Sequence, residues 1–291
     1  MKRLFLLSLF AFGCEDLDRA RLGFTGVDMA PPPTPTTQPL DPAVGPDGCS
    51  EAAKLVYLID EDGTLMSFEP AKLKFTEIGK VPCSSLRFNS MAVDRAAVAW
   101  VNSEDGQVFR VNTQMKPLDC SPTSFDSADF VQFGMGFSSN AVGSSDETLF
   151  VAGPDGLASS LATLDTATMK VRVVGAMNGS WPELTGTGSA ELWGFFPDSS
   201  MSKLAQIDKK SATLKREMPL PQLNGIQRAW AFAFWGGSYW IFLQRFADLS
   251  TNVWQVSFDE SGTHVIEAVH NTGRTIVGAG VSTCAPVAQP G

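Results

Sequence analysis

One landmark recurs five times along the chain and constrains its fold more than any other feature. A short run of β-forming residues around an aromatic appears as LVYLID at Tyr57, AVAWVN at Trp100, TLFVAG at Phe150, ELWGFF at Trp193 and SYWIFL at Trp240. These aromatics stand 43, 50, 43 and 47 residues apart. A second run follows each one: LMSFEP, VFRVNT, LATLDT, LAQIDK and VWQVSFDE. It ends on an acid or amide, at Glu69, Asn112, Asp165, Asp208 and Asp259, with spacings of 43, 53, 43 and 51. Two independent landmarks with one period mark an internal repeat. Asp and Asn bond their own backbone at tight turns, so the residue type needs no ligand to explain it. A third, more polar run completes each unit: KFTEIGKV, MKPLDC, KVRVVGAM, TLKREMPL and THVIEAVH. The runs are short, β-rich and separated by Gly, Asp, Asn, Ser and Pro, with no long helical period among them.

A small, apolar run precedes four of the five aromatic ones: NSMAVD, FGMGFSS, LTGTGSA and WAFAFW. Only proline-rich sequence lies ahead of the first. A matching run, TIVGAGVST at 275–283, instead stands at the C-terminal end with no aromatic run after it. The mismatch disappears if the chain closes on itself and its last strand completes its first sheet. Four strands per unit in five units resemble a five-bladed β-propeller, an all-β fold spanning residues 49–286. A β-sandwich, the competing architecture, leaves the displaced strand unexplained. In the propeller the small strand is innermost, because blades crowd at the axis and glycine permits close backbone approach. Gly134 and Gly136, Gly186 and Gly188, and Gly278 and Gly280 hold such positions. None belongs to a GxGxxG preceding a helix, so they form no phosphate cradle. The aromatics of the second strand are expected to fill the space between blades.

The chain opens MKRLFLLSLFAFGC. Lys2 and Arg3 precede an apolar stretch, Leu4 to Phe12, far shorter than the ~20 residues of a membrane-spanning helix. Residues 1–13 therefore read as a secretory signal. Ala11-Phe12-Gly13-Cys14 resembles a bacterial lipobox, and the resemblance implies cleavage before Cys14 and acylation of that cysteine. Acyl chains anchor because each buried methylene contributes ~0.8 kcal/mol. The alternative is an ordinary signal peptide with an incidental cysteine. Glu15, where enteric lipoproteins retained at the inner membrane tend to carry Asp, implies an outer-membrane location on the bacterial cell envelope. Residues 14–48 read as a tether, since PPPTPTTQPLDPAVGP at 31–46 holds seven prolines in sixteen residues. In polyproline II geometry that stretch reaches on the order of 50 Å.

Four cysteines remain beyond Cys14, an even number that in an exported chain implies disulfides in one of three pairings. The propeller selects Cys49 with Cys284, which flank the closing blade, and Cys83 with Cys120, which follow neighbouring outer strands. No CxxC pair is present, and only two histidines occur, so no metal site is expected. His264 and His270 share an outer strand without a third ligand and read as solvated edge residues. Asp60-Glu61-Asp62-Gly63 lacks the rest of an EF-hand loop, and a hairpin turn explains it. The formal net charge of −9 argues against a nucleic-acid partner.

The acids near the inner strands are Asp94, Asp146, Glu147, Glu183 and Glu191. Glycosidases on five-bladed propellers use two carboxylates ~5–9 Å apart at the axis, so a glycan-active hydrolase is the alternative function. Most of these acids fall at turns, however, and none is assigned a catalytic role. The run Trp230, Phe232, Phe234, Trp235, Tyr239, Trp240 and Phe242 could stack on sugars, but its alternation is also what inter-blade packing demands. Core packing is the preferred reading; if one member is a surface anchor for a ligand, it is Trp235, which breaks that alternation beside Gly236-Gly237.

The lines LATLDTATMKVRVVG and LVYLIDEDGTLMSFEP resemble repeats of bacterial extracytoplasmic propellers of the quinoprotein-like and outer-membrane-assembly types, a likeness in repeat style over 49–284. Quinoprotein-like propellers hold a cofactor on the axis beside metal-binding carboxylates. This sequence offers no such cluster, so no cofactor is expected. The resemblance implies a non-enzymatic lipoprotein, held to the membrane by its anchor, that binds or scaffolds an envelope protein or a glycan.

Overall fold

The alternation of apolar and small residues is resolved by strands buried on both faces. Among the described residues, twenty strands form five four-stranded antiparallel sheets in a computed structural model. The structure describes residues 48–289 except 84–85, 127–129, 156–157 and 178–181; the leader 1–13, Cys14 and the tether up to residue 47 lie outside the described residues. Blade one contains β1 (Val56–Asp60), β2 (Thr64–Glu69) and β3 (Lys74–Lys80). Blade two follows with β4 (Phe88–Val93), β5 (Val98–Ser103), β6 (Val108–Asn112) and β7 (Asp119–Pro122). Blade three has β8 (Gly134–Ser139), β9 (Glu147–Asp155), β10 (Ala158–Leu164) and β11 (Val171–Met177). Blade four has β12 (Glu183–Gly186), β13 (Leu192–Phe196), β14 (Lys203–Ile207) and β15 (Leu214–Pro219). Blade five has β16 (Gln227–Trp235), β17 (Ser238–Arg245), β18 (Asn252–Asp259) and β19 (Gly262–Val269), and β20 (Ile276–Val281) ends the series.

The chain closes through its last strand. β20 pairs antiparallel with β1, placing Val281 opposite Val56, Gly280 opposite Tyr57 and Ala279 opposite Leu58. Blade one therefore has the order β20-β1-β2-β3, with the C-terminal strand innermost, and the fold is a five-bladed β-propeller. Two disulfides reinforce it. Cys49–Cys284 joins residues 235 apart in sequence beside the closing strand, and Cys83–Cys120 ties blade one to the outer strand of blade two. Such bonds point to an extracytoplasmic setting. No helix among the described residues is long and apolar enough to cross a membrane.

The core is divided among five clusters, one between each pair of adjacent blades, and each takes one repeat aromatic. Tyr57 packs between blades one and two, Trp100 between two and three, and Phe150 between three and four. Trp193 packs between blades four and five, and Trp240 closes the ring between five and one. Each such ring contributes several times the burial of a methylene. Near the axis the backbones themselves touch. A Cβ on Gly134 would collide with the Pro182 carbonyl oxygen, and one on Gly186 with the Phe137 carbonyl oxygen. These are contacts no side chain can relieve.

Turn chemistry follows the repeat. The Oδ1 atoms of Asn112, Asp165, Asp208 and Asp259 each accept the backbone N–H two residues on, at 2.8–3.0 Å. Glu69, with a longer side chain, instead pairs with Lys72 at 2.7 Å. One outer strand departs from the expected frame. In blade two pairing starts at Asp119 opposite Asn112, not in the preceding MKPL, because Pro117 has no amide to offer a ladder. Cys120 accordingly lies within β7 and not beyond it.

Candidate functional site

Neighbouring inner strands run in the same direction: Gly134 and Gly136 of β8 meet Pro182 and Leu184 in turn, and Gly278 and Gly280 of β20 meet Met91 and Ala92 of β4 in turn. The ring thus has an upper face, where all five begin, and a lower face, where they end. Residues that open the inner strands converge at the upper mouth of the axis. They line a cavity of about 220 Å³ that includes Asn89, Glu104, Gln132, Glu183, Arg228 and Trp230.

Glu183 is 4% exposed. The Ser90 hydroxyl donates to its Oε2 at 2.8 Å, and the Met135 N–H is a second donor. Ser90 belongs to blade two and Glu183 to blade four, so this bond crosses the axis in front of blade three. Burial pushes the Glu183 carboxyl well above the ordinary carboxylate range, outweighing both hydrogen bonds. Arg228 is held by three partners. Its Nη2 donates to both carboxylate oxygens of Glu61, at 3.1 and 3.0 Å, and its Nη1 to Thr275 Oγ1 at 2.8 Å and Gln244 Oε1 at 3.1 Å. Asn89 uses its amide nitrogen to bridge blades, donating at 3.1 Å to both Asn102 Oδ1 and the Phe133 carbonyl.

Two further cavities open on the upper face. One, of about 310 Å³, lies beside Asp60, Glu61, Leu249 and Arg274; another, of about 210 Å³, lies beside Met201, Pro219 and Pro221. Large apolar side chains stand exposed around them, with Leu249 at 89%, Met201 at 75%, Phe246 at 70% and Ile226 at 69%.

The lower mouth is built for cross-linking. Arg95 donates from Nη1 to Thr283 Oγ1 at 3.0 Å and from Nε to the Gly48 carbonyl at 3.3 Å. Thr283 Oγ1 in turn donates to Glu147 Oε2 at 2.7 Å, and the Arg95 N–H reaches Glu147 Oε1 at 3.0 Å. Desolvation pushes the Glu147 carboxyl up to about 7, against these hydrogen bonds. Asp94 accepts the Trp100 indole N–H at 3.0 Å.

Of the five acids singled out in the sequence, only Asp94 and Glu147 come together, beside one cavity of about 310 Å³. Glu183 lies at the upper mouth, Asp94 and Glu147 at the lower one, and Asp146 is exposed on a turn. Glu191 accepts from Trp193 Nε1 at 3.0 Å and Gln206 Nε2 at 3.2 Å. Trp235 does not stand out as a surface platform. It packs with Trp240 and Phe242 between blades five and one, and its indole N–H donates to the Lys54 carbonyl at 2.9 Å. Its break in alternation reflects the end of β16, not an outward turn. The rest of the aromatic run is shared between the two clusters flanking blade five. Asp60 Oδ1 accepts the N–H groups of Asp62 at 3.1 Å and Thr64 at 2.7 Å, so this acidic turn is organised by its own backbone. His264 and His270 are exposed beside Asp259 and Glu267, at 2.9 and 2.7 Å.

No family model matches the chain, and neither does any curated protein. Solved structures do. A streptogramin B lyase structure is 12% identical over 77% of this chain and 67% of its own, with a TM-score of 0.42. A chain of a nidogen/laminin complex is 10% identical, over 78% and 97%, with a TM-score of 0.47. A luciferin-regenerating enzyme is 13% identical, over 75% and 74%, with a TM-score of 0.43. Likeness at this level says nothing of ligand or activity.

Proposed function

We propose that the protein is a cell-envelope lipoprotein, acylated at Cys14, whose propeller is a non-enzymatic binding or scaffolding module that receives an envelope protein or a glycan on its upper face. One observation carries this reading: the two faces are unlike. The upper face holds the axial cavity, two neighbouring cavities and the exposed Leu249, Phe246, Ile226 and Met201. Exposed apolar groups gathered around concave sites mark interaction surfaces. The lower face also has a cavity, of about 310 Å³ beside Asp94, Arg95 and Glu147, and an exposed Val142, but this cavity lies against Gly48, where the described chain begins, and near the Cys49–Cys284 bond. Of the five acids read from the sequence only Asp94 and Glu147 share a cavity, and both are committed there, Asp94 to the Trp100 indole N–H and the Ala96 and Val98 amides, Glu147 to Thr283 and the Arg95 amide.

The test is differential capture from envelope extracts with wild-type protein, a Phe246→Ser/Leu249→Ser variant and a lower-face Val142→Ser control. Partners should be lost only with the upper-face variant; equal retention by all three excludes the upper face. Intact mass of the membrane-bound chain tests the anchor, which is refuted by a chain starting at Cys14 without added acyl mass.

A further inference from the structure

We infer that the axial cavity of the upper face is a subsite for a single uncharged pyranose ring at the end of a glycan, a refinement that rests on the binding reading above. The cavity, about 220 Å³, is smaller than the ~300–1,000 Å³ of sites for drug-sized ligands and suits one ring. Its chemistry is that of a sugar. A pyranose offers an apolar ring face and several hydroxyls, each both donor and acceptor. The half-buried Trp230 supplies an aromatic surface. Both N–H groups of Asn89 are engaged, leaving its Oδ1 to accept. Gln132 spends one N–H on the Glu104 carbonyl, at 3.4 Å, and keeps its Oε1 and second N–H. Buried Glu183 lies deeper, fixed by Ser90 across the axis, with a carboxyl that can both donate and accept when protonated.

The charges around the cavity select against ionic ligands. The Arg228 guanidinium is answered by both oxygens of Glu61, which removes the cation an acidic sugar or phosphate would need. Exposed Glu104 on the rim repels anions, and Glu61, the other carboxylate nearby, is already taken up by Arg228, so it has no charge to spare for a cation. Burial pushes the Glu183 carboxyl well above the ordinary carboxylate range and so favours its neutral form. An uncharged, hydroxyl-rich ring is what remains.

Saturation-transfer NMR with titration, using methyl glycosides of glucose, galactose, mannose and N-acetylglucosamine, tests this directly, with glucuronate and choline as charged controls. At least one uncharged glycoside should show saturable transfer. Its affinity should fall about tenfold in Gln132→Ala, the scale of one lost hydrogen bond, and remain unchanged in Glu147→Gln at the lower mouth. Trp230→Leu, with its fold checked by circular dichroism, should weaken it further. Silence from all four glycosides, preferential binding of a charged control, or binding indifferent to both Gln132→Ala and Trp230→Leu overturns the subsite. If the glycosides are silent while Phe246→Ser/Leu249→Ser still abolishes partner capture, the subsite is wrong and the binding face stands.

Discussion

The two mouths of the propeller axis are made from equivalent strand ends of the same five repeats, yet they are finished differently. At the lower mouth the chain spends its polar groups on itself. Arg95, Glu147 and Thr283 link blades one, two and three, and a disulfide seals the seam. At the upper mouth Glu183 and Ser90 make one bond across the axis, and above them amide groups of Asn89 and Gln132 keep acceptors and donors in hand. The packing between blades holds the ring along its whole height, so the two mouths differ in what their polar side chains face and not in whether the ring is held there.

The difference can be broken most forcefully at the seam. Replacing both Cys49 and Cys284 with Ser releases a loop of 235 residues and should cost up to roughly 5 kcal/mol in denaturant unfolding. Loss of Cys83–Cys120, spanning 37 residues, should cost less, up to about 4 kcal/mol. The reverse order would show that the seam is not where the ring is held. Next comes Gly186→Ala, whose Cβ meets the Phe137 carbonyl oxygen and should destabilise by ~1–3 kcal/mol. Arg95→Ala should follow at ~1–3 kcal/mol through lost hydrogen bonds to Thr283 and Gly48. No effect from it would leave the lower network without a stabilising role.

The pH dependence sharpens the contrast further. Glu147 sits at about 7 in the folded protein against an ordinary 4.5, so the native state holds its proton more tightly than the unfolded chain. The contribution of this group to stability should therefore fall as pH rises from about 4.5 to about 7 and level off above. Stability curves of wild type and Glu147→Gln should diverge through that window, the variant gaining relative to wild type as pH rises; parallel curves contradict the assignment. The smallest effect belongs to the upper face, where Phe246→Ser should move stability by no more than ~0.5 kcal/mol while removing an apolar contact for a partner.

The ring itself was legible because its cause is periodic. Tyr57, Trp100, Phe150, Trp193 and Trp240 each have to fill one inter-blade gap, and a gap that recurs leaves a period in the chain. The displaced 275–283 run was legible for the same reason, since a missing strand at one end must be supplied from the other. The cavity was not. Asn89, Gln132 and Arg228 are ordinary polar residues with no local motif, and only closure brings them together. One signal was available: Asn89, Gln132, Glu183 and Arg228 all stand at or just before the first residue of an inner run, so superposing the repeats would have collected them. Trp235 shows the converse: a departure from alternation looks outward in sequence, whereas at the end of β16 it points into the blade five–blade one gap.

The pairing of β20 with β1 also sets when this protein can become itself. Its opening sheet lacks an inner edge until residues 276–281 are present, so a chain still emerging from synthesis or passing a membrane holds four complete sheets at most. Contacts this distant in sequence form late. Truncating the chain before Ile276 should therefore leave an open arc and not a smaller ring.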